Sequence, residues 1–170
     1  MTPVPGCIGV QRNASLVGLA IQFGTRSRWN HAGILEDVFP DGTGAVLEAQ
    51  PGGFRRTIVQ LSDWSFDPLD LPLASRIAIV EFARQCMGLP YDWSDIASFV
   101  WRFNRVKIFD APYPDHPDDR VICSEAAAWA FRMGTGLDPW PGIAANEISP
   151  GDVEQALWHP TLPELVYRHV

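Results

Sequence analysis

Apolar positions in this chain first alternate with polar or small residues, then recur at helical spacing, and finally scatter among prolines and glycines. Ile8-Gly9-Val10 reads as a first strand, and Ser15 to Phe23 as a short helix capped by Asn13 or Ser15. Trp29 to Leu35 predicts a strand that ends at the turn Pro40-Asp41-Gly42. Gly44 to Gln50 predicts its hairpin partner, closed by Pro51-Gly52-Gly53, and Arg56 to Leu61 predicts a third strand. The stretch from Asp63 to Pro72, rich in Pro, Asp and Trp, reads as a loop.

The period then changes. Between Ser75 and Met87 the residues Ile79, Phe82, Ala83, Cys86 and Met87 fall on one helical stripe, and Gly88 with Pro90 stops that helix. A second helix is predicted from about Trp93 to Phe103, with Ile96, Phe99, Val100 and Phe103 facing inward. Asp110 to Asp119 reads as a loop, and a third helix begins near Cys123 and ends at Gly134 or Gly136. A short helix around Gly151 to Leu157 and a terminal strand at Glu164 to His169 complete the pattern. Strands early, helices in the middle and a returning strand late predict an α+β fold, an antiparallel sheet packed against helices.

Composition narrows the function classes. A chain of 170 residues, 46% apolar and 19% charged, fits one globular domain over 1–170 with a substantial core. No apolar run is long enough to cross a membrane, so integral membrane association is not expected. The first residues have neither a basic region nor an apolar stretch of the signal-peptide kind, so the expected location is the cytoplasm, with release by another route if phage-encoded. A net charge of −7 and a pI near 4.9 predict no nucleic-acid partner and argue against peripheral membrane binding, because an acidic surface repels phosphates. The small basic groups Arg26/Arg28, Arg55/Arg56 and Arg102/Arg105/Lys107 are too scattered to change this, though any of them could meet one anionic group locally.

Three cysteines, Cys7, Cys86 and Cys123, form no C-x-x-C pair, which fits reduced thiols better than disulfides or a zinc finger. Cys86 lies on an apolar stripe and Cys7 in a terminal turn, where a buried structural thiol is the expected role. Cys123 differs because it opens the helix Ile122 to Phe131. Unpaired N–H groups and the positive dipole end of a first turn favour a thiolate and can hold an oxyanion. Cys123, Ala126, Ala127 and Ala130 share a face whose small residues would let the helix lie close to the sheet.

A base for that thiol is offered by His31 in Trp29-Asn30-His31-Ala32-Gly33-Ile34-Leu35, where alternation puts His31, Gly33 and Leu35 on one face. Gly33 is expected to leave space for another element to approach. Glu48, flanked by apolar residues on the neighbouring strand, can accept the second imidazole N–H and fix its tautomer, with Gln50 on the same face as the alternative. A zinc site from His31, Cys123 and His116 or His159 is the weaker option, since no pair has local ligand spacing.

Asn30-His31-Ala32-Gly33-Ile34, Leu47-Glu48-Ala49, Gly88-Leu89-Pro90-Tyr91-Asp92 and Cys123-Ser124-Glu125 together resemble the NlpC/P60 superfamily. In particular they look like its circularly permuted branch, the YiiX/YaeF-like and lecithin retinol acyltransferase-like proteins, in which the His strand precedes the Cys helix. The resemblance spans about residues 8 to 157. It implies a papain-like fold with Cys123 as nucleophile, His31 as base and Glu48 as third polar residue. It also implies that Tyr91 borders the cleft, with Trp93 and Ser124 as further substrate contacts. Glu125 matches a family glutamate, and on this helix it can also cap the N-terminus. The chain departs from the branch at Cys7-Ile8-Gly9-Val10, where many members carry a Gly-Asp pair, and in its two Pro-rich loops.

The expected activity is hydrolysis of an amide in a peptidoglycan stem peptide or other small peptide, with no cofactor and no metal. A lipid ester or acyl donor is the alternative substrate, favoured if Trp64, Phe66, Trp93 or Trp101 lines an apolar cleft. A non-catalytic binding protein on the same fold is the third possibility. Oligomeric state is not encoded legibly.

Overall fold

The computed structural model describes residues 2–93 and 119–159, together with the backbone of 166–167. Its main sheet has five strands: β1 (Ile8–Gln11), β2 (His31–Val38), β3 (Thr43–Gln50), β4 (Gly53–Gln60) and β5 (Ser65–Phe66). They lie in the order β4-β3-β2-β1-β5, and every neighbouring pair is antiparallel. Helices α1 (Leu16–Thr25), α2 (Leu73–Gln85), α3 (Cys123–Thr135) and α4 (Pro150–Trp158) follow or interrupt the strands. Two short strands, β6 (Leu137–Asp138) and β7 (Val166–Tyr167), pair with each other in a separate small sheet.

Strand alternation decides which face meets the helices. Ile8 sits opposite Ile34, Val10 opposite Ala32, and Ile34 opposite Leu47, so these side chains share one face. They pack with Ala49, with Ile79 and Ala83 of α2 and with the alanines of α3 into the principal core. Burying each large aliphatic side chain there contributes roughly 1.5–3 kcal/mol. Cys7, Leu35, Val46 and Trp64 form a smaller cluster on the opposite face.

The first nine residues of α3, Cys123 to Phe131, are all buried, as expected of a central helix without a solvent face. Close approach to α2 is made at Gly134: a Cβ there would meet the backbone N of Ile79 at 2.5 Å. Gly136 then ends the helix in the left-handed conformation, φ +70°. Arg132 ties the following chain back, donating to Asp138 at 2.7 Å and to the carbonyls of Trp140 and Ile143.

The α+β class and the antiparallel sheet agree with the sequence pattern, and so do most of the element positions. Ser15, not Asn13, caps α1, accepting from the N–H of Gly18 at 3.0 Å, while Asn13 accepts from Ser15. Four details differ. The stretch Asp63–Pro72 contains β5, which the edge of β1 imposes through pairing. Met87 lies beyond the end of α2 and is exposed, while Phe82 is only partly buried and meets Trp129 edge-on. The late strand is β7, and it joins β6 and not the main sheet. The space beside Gly33 is filled by its own sheet neighbours, since a Cβ would come within 2.5 Å of Val46 and 3.1 Å of Trp64. The helix predicted from Trp93 to Phe103, beyond its first residue, and the loop from Asp110, up to Asp119, lie outside the described residues, as does His116.

Candidate functional site

His31 is the first residue of β2, and Glu48 lies on the adjacent, central strand β3. In the register Ile34 faces Leu47, so Glu48 falls opposite Gly33, one diagonal step from His31 and on the same face. Both side chains are buried. Imidazole Nε2 meets Glu48 Oε2 at 2.5 Å. The other carboxylate oxygen of Glu48 accepts from Gln50 Nε2 at 2.5 Å, and Gln50 Oε1 accepts in turn from Arg55 at 2.5 Å. Gln50 is therefore a tether on Glu48, not the partner of the imidazole.

Cys123 approaches the same ring from the start of α3. Burial alone would push the imidazole toward its neutral form. The negative charge of Cys123 and its hydrogen bond, followed by the bond to and charge of Glu48, overcome this and hold the His31 pKa up at about 10. With Nε2 taken by Glu48, Nδ1 is the ring nitrogen left for the sulfur. Burial likewise pushes Glu48 upward, but the bond to and charge of His31 and the bond from Gln50 leave its carboxyl below the usual range. Glu48 and Cys123 thus act together to favour the charged form of a buried imidazole.

The other two thiols are held differently. Burial, aided by the charge of Glu125, pushes Cys86 up to about 12. Burial raises Cys7 as well, against the opposing contact from Arg76, whose guanidinium donates to Cys7 Sγ at 3.3 Å. Among the described residues no imidazole raises or lowers either one, and burial keeps both protonated at neutral pH.

The N-cap of α3, Ile122, provides no side-chain acceptor for the first-turn N–H groups. Glu125 reaches back instead and accepts from the N–H of Ile122 at 3.1 Å, which is its capping role.

Tyr91 is buried close enough to Cys123 for the sulfur's charge to add to burial in raising its phenol pKa. A single parallel bridge between Tyr91 and Val121 holds it there, with Asp92 N donating to Val121 O and Val121 N to Pro90 O. Trp93, 52% exposed, meets Tyr91 edge-on at 5.1 Å between ring centroids. Ser124 is placed differently from a surface contact: it is buried, and its hydroxyl has no hydrogen-bond partner among the described residues.

Sequence reasoning offered Trp64 only as a possible cleft residue and missed its place, and that of Arg55, beside the His31–Glu48 pair. Trp64 packs its ring 5.5 Å from that of His31, on the side away from the helices, and shields the imidazole from water. No periodicity marks a Trp that acts from a turn after β4. Arg55 was visible only as part of a scattered basic pair, although its place across the tight β3–β4 hairpin follows from the register Glu48 to Arg55.

No protein-family model matches the chain, and no curated protein sequence does. Among solved structures, the chain is similar to one described as the metalloprotein YiiX from Escherichia coli O157:H7, of a domain family of unknown function. The two share 23% identity at a TM-score of 0.57, over 80% of this chain and 68% of that one. The fold is therefore of the YiiX type: a five-stranded antiparallel sheet packed against helices, consistent with a papain-like architecture.

Proposed function

We propose that the chain is a cysteine hydrolase of the permuted NlpC/P60 kind, with Cys123 as nucleophile, His31 as acid and base, and Glu48 as orienting carboxylate. The observation that carries this reading is the buried Glu48–His31 contact, with Cys123 at a helix start acting on the same ring. The Cys123 thiolate attacks the substrate carbonyl carbon, and the first-turn N–H groups of α3 receive the oxyanion. As the tetrahedral adduct collapses, imidazolium His31 gives its proton to the departing amine, leaving a thioester on Cys123. Water then attacks the thioester while His31 takes its proton, and the acid product leaves with the thiolate restored. Glu48 fixes the ring and offsets its positive charge throughout.

The neighbour's description as a metalloprotein gives reason to test a metal here. Glu48 takes one ring nitrogen of His31 and Cys123 addresses the ring as well, so the donors surround the imidazole and do not converge on a common point. Among the described residues no three His, Cys, Asp or Glu are grouped to hold an ion. These residues do not fit a metal centre, and no step runs through one.

A small peptide or acyl-amide, such as a peptidoglycan stem peptide, is the substrate class proposed. The half-exposed Trp93 against Tyr91 favours an apolar acyl group as the second reading, with the same chemistry on a lipid ester.

Alkylation of the native protein with limiting iodoacetamide at neutral pH tests the proposal. Cys123 should label at least about a hundredfold faster than Cys7 and Cys86, and His31→Ala should remove most of that advantage. Equal rates at all three thiols, or an unchanged rate in His31→Ala, would refute it.

A further inference from the structure

Helix α1 buries one face and exposes another that is apolar. Gly18 and Ile21 are its buried residues, with Gly18 pressed against Asn13 and Asn30, which exchange hydrogen bonds of 2.9 and 2.8 Å. Leu16, Leu19 and Phe23, at i, i+3 and i+7, face outward at 87%, 48% and 73% exposure. The helix itself carries no charged residue. Exposed arginines stand at both ends: Arg12 before the cap, and Arg26 and Arg28 after the last turn.

The charge carried by this segment of the sequence is unlike that of the chain as a whole. Residues 1–35 contain three arginines and not one Asp or Glu, leaving ten basic and twenty acidic residues to the remainder. One end of the sequence is thus +3 and the rest −10. Within a screening length of about 8–10 Å, an approaching surface feels the near face and not the total. Net charge argues against docking of an anionic surface in general, but it does not oppose docking through α1.

We infer that the exposed face of α1 docks on an anionic lipid surface, with Leu16, Leu19 and Phe23 entering the headgroup boundary and Arg12, Arg26 and Arg28 meeting lipid phosphates. A ten-residue helix is about 15 Å long, and three side chains cover at most a few hundred Å², far below the roughly 800 Å² per partner of a stable protein dimer. Apolar insertion assisted by basic residues needs no such area. Arg28 also pairs with Glu154 at 3.1 Å, which offsets part of its charge. The docked helix leads directly into His31 through Arg26 to Asn30, so docking places the start of β2 near the bilayer.

Co-sedimentation of the full chain with lipid vesicles tests this independently of any hydrolase activity. The protein should bind vesicles of phosphatidylcholine mixed with phosphatidylglycerol at low salt, and at least about tenfold more weakly to phosphatidylcholine alone. High salt should reduce binding to the mixed vesicles, a test that needs no variant. Leu16→Ser with Phe23→Ser should weaken binding at least about tenfold with the circular dichroism spectrum retained, while Cys123→Ala should bind as the wild type does. Failure of the wild type to bind the mixed vesicles at low salt overturns the inference. So does unchanged binding in the double Ser variant, or a dimer at neutral pH that the double variant dissolves, which would make a second copy the occupant.

Discussion

Glu48 is a carboxylate that burial would neutralise were it not for His31, and His31 is an imidazole that burial would discharge were it not for Cys123 and Glu48. Each group therefore depends on its neighbours for its charge. The sign of a substitution follows: removing an anion beside the ring lowers the imidazole pKa. Glu48→Gln should bring the His31 titration well down from about 10, as read from ring carbon shifts by NMR, and Cys123→Ser should also lower it. A His31 titration that stays in place in both variants would rule out the charge network. Gln50→Ala acts one step further out. It leaves one oxygen of Glu48 without its donor, and should lower the His31 pKa by less than Glu48→Gln does. Cys123, His31 and Glu48 were legible in the sequence because each stands at a patterned place: a helix start, or a polar position in an alternating strand. Trp64 was not, since its position against the ring comes from a turn that only the folded sheet defines.

Elements were legible where their own residues determine them and obscure where a neighbour does. The hairpin of β3 and β4 and the stop of α3 at Gly136 follow from turn and cap chemistry. By contrast β5 is two residues long and exists because β1 offers an unpaired edge, and β6 and β7 meet only after α3 turns back. The packing of α3 is also a relation between elements. Its alanine-rich face packs in one core with the sheet residues, and the helix also comes close to α2 at Gly134. Helix propensity favours Ala over Gly by about 1 kcal/mol, so Gly134→Ala would stabilise an isolated helix. Here the added methyl meets backbone at Ile79, which cannot yield as a side chain can, and overpacking of this kind costs about 1–3 kcal/mol. A urea midpoint below wild type is expected. A raised midpoint would show that α2 and α3 are not in contact at that residue.

At the scale of the molecule, charge and apolar exposure are distributed together. Three arginines share the first 35 positions with the exposed Leu16, Leu19 and Phe23, and every Asp and Glu lies beyond them. At neutral pH the net charge of −7 opposes association of copies on average. As the pH falls toward 4.9 that repulsion vanishes while the arginines stay charged, because guanidinium does not titrate in this range. Arg12, Arg26 and Arg28 then keep their charge while the carboxylates elsewhere are only partly ionised, and the basic apolar face of α1 can meet an acidic surface of another copy. Such a contact is head-to-tail and does not close on itself, so it gives open association in place of a defined dimer. Light scattering at low salt should show attraction that grows toward pH 4.9, weakens with added salt, and falls further in Leu16→Ser with Phe23→Ser. Salt-insensitive scattering near pH 4.9 would mean that the asymmetry in the sequence is not expressed on the folded surface.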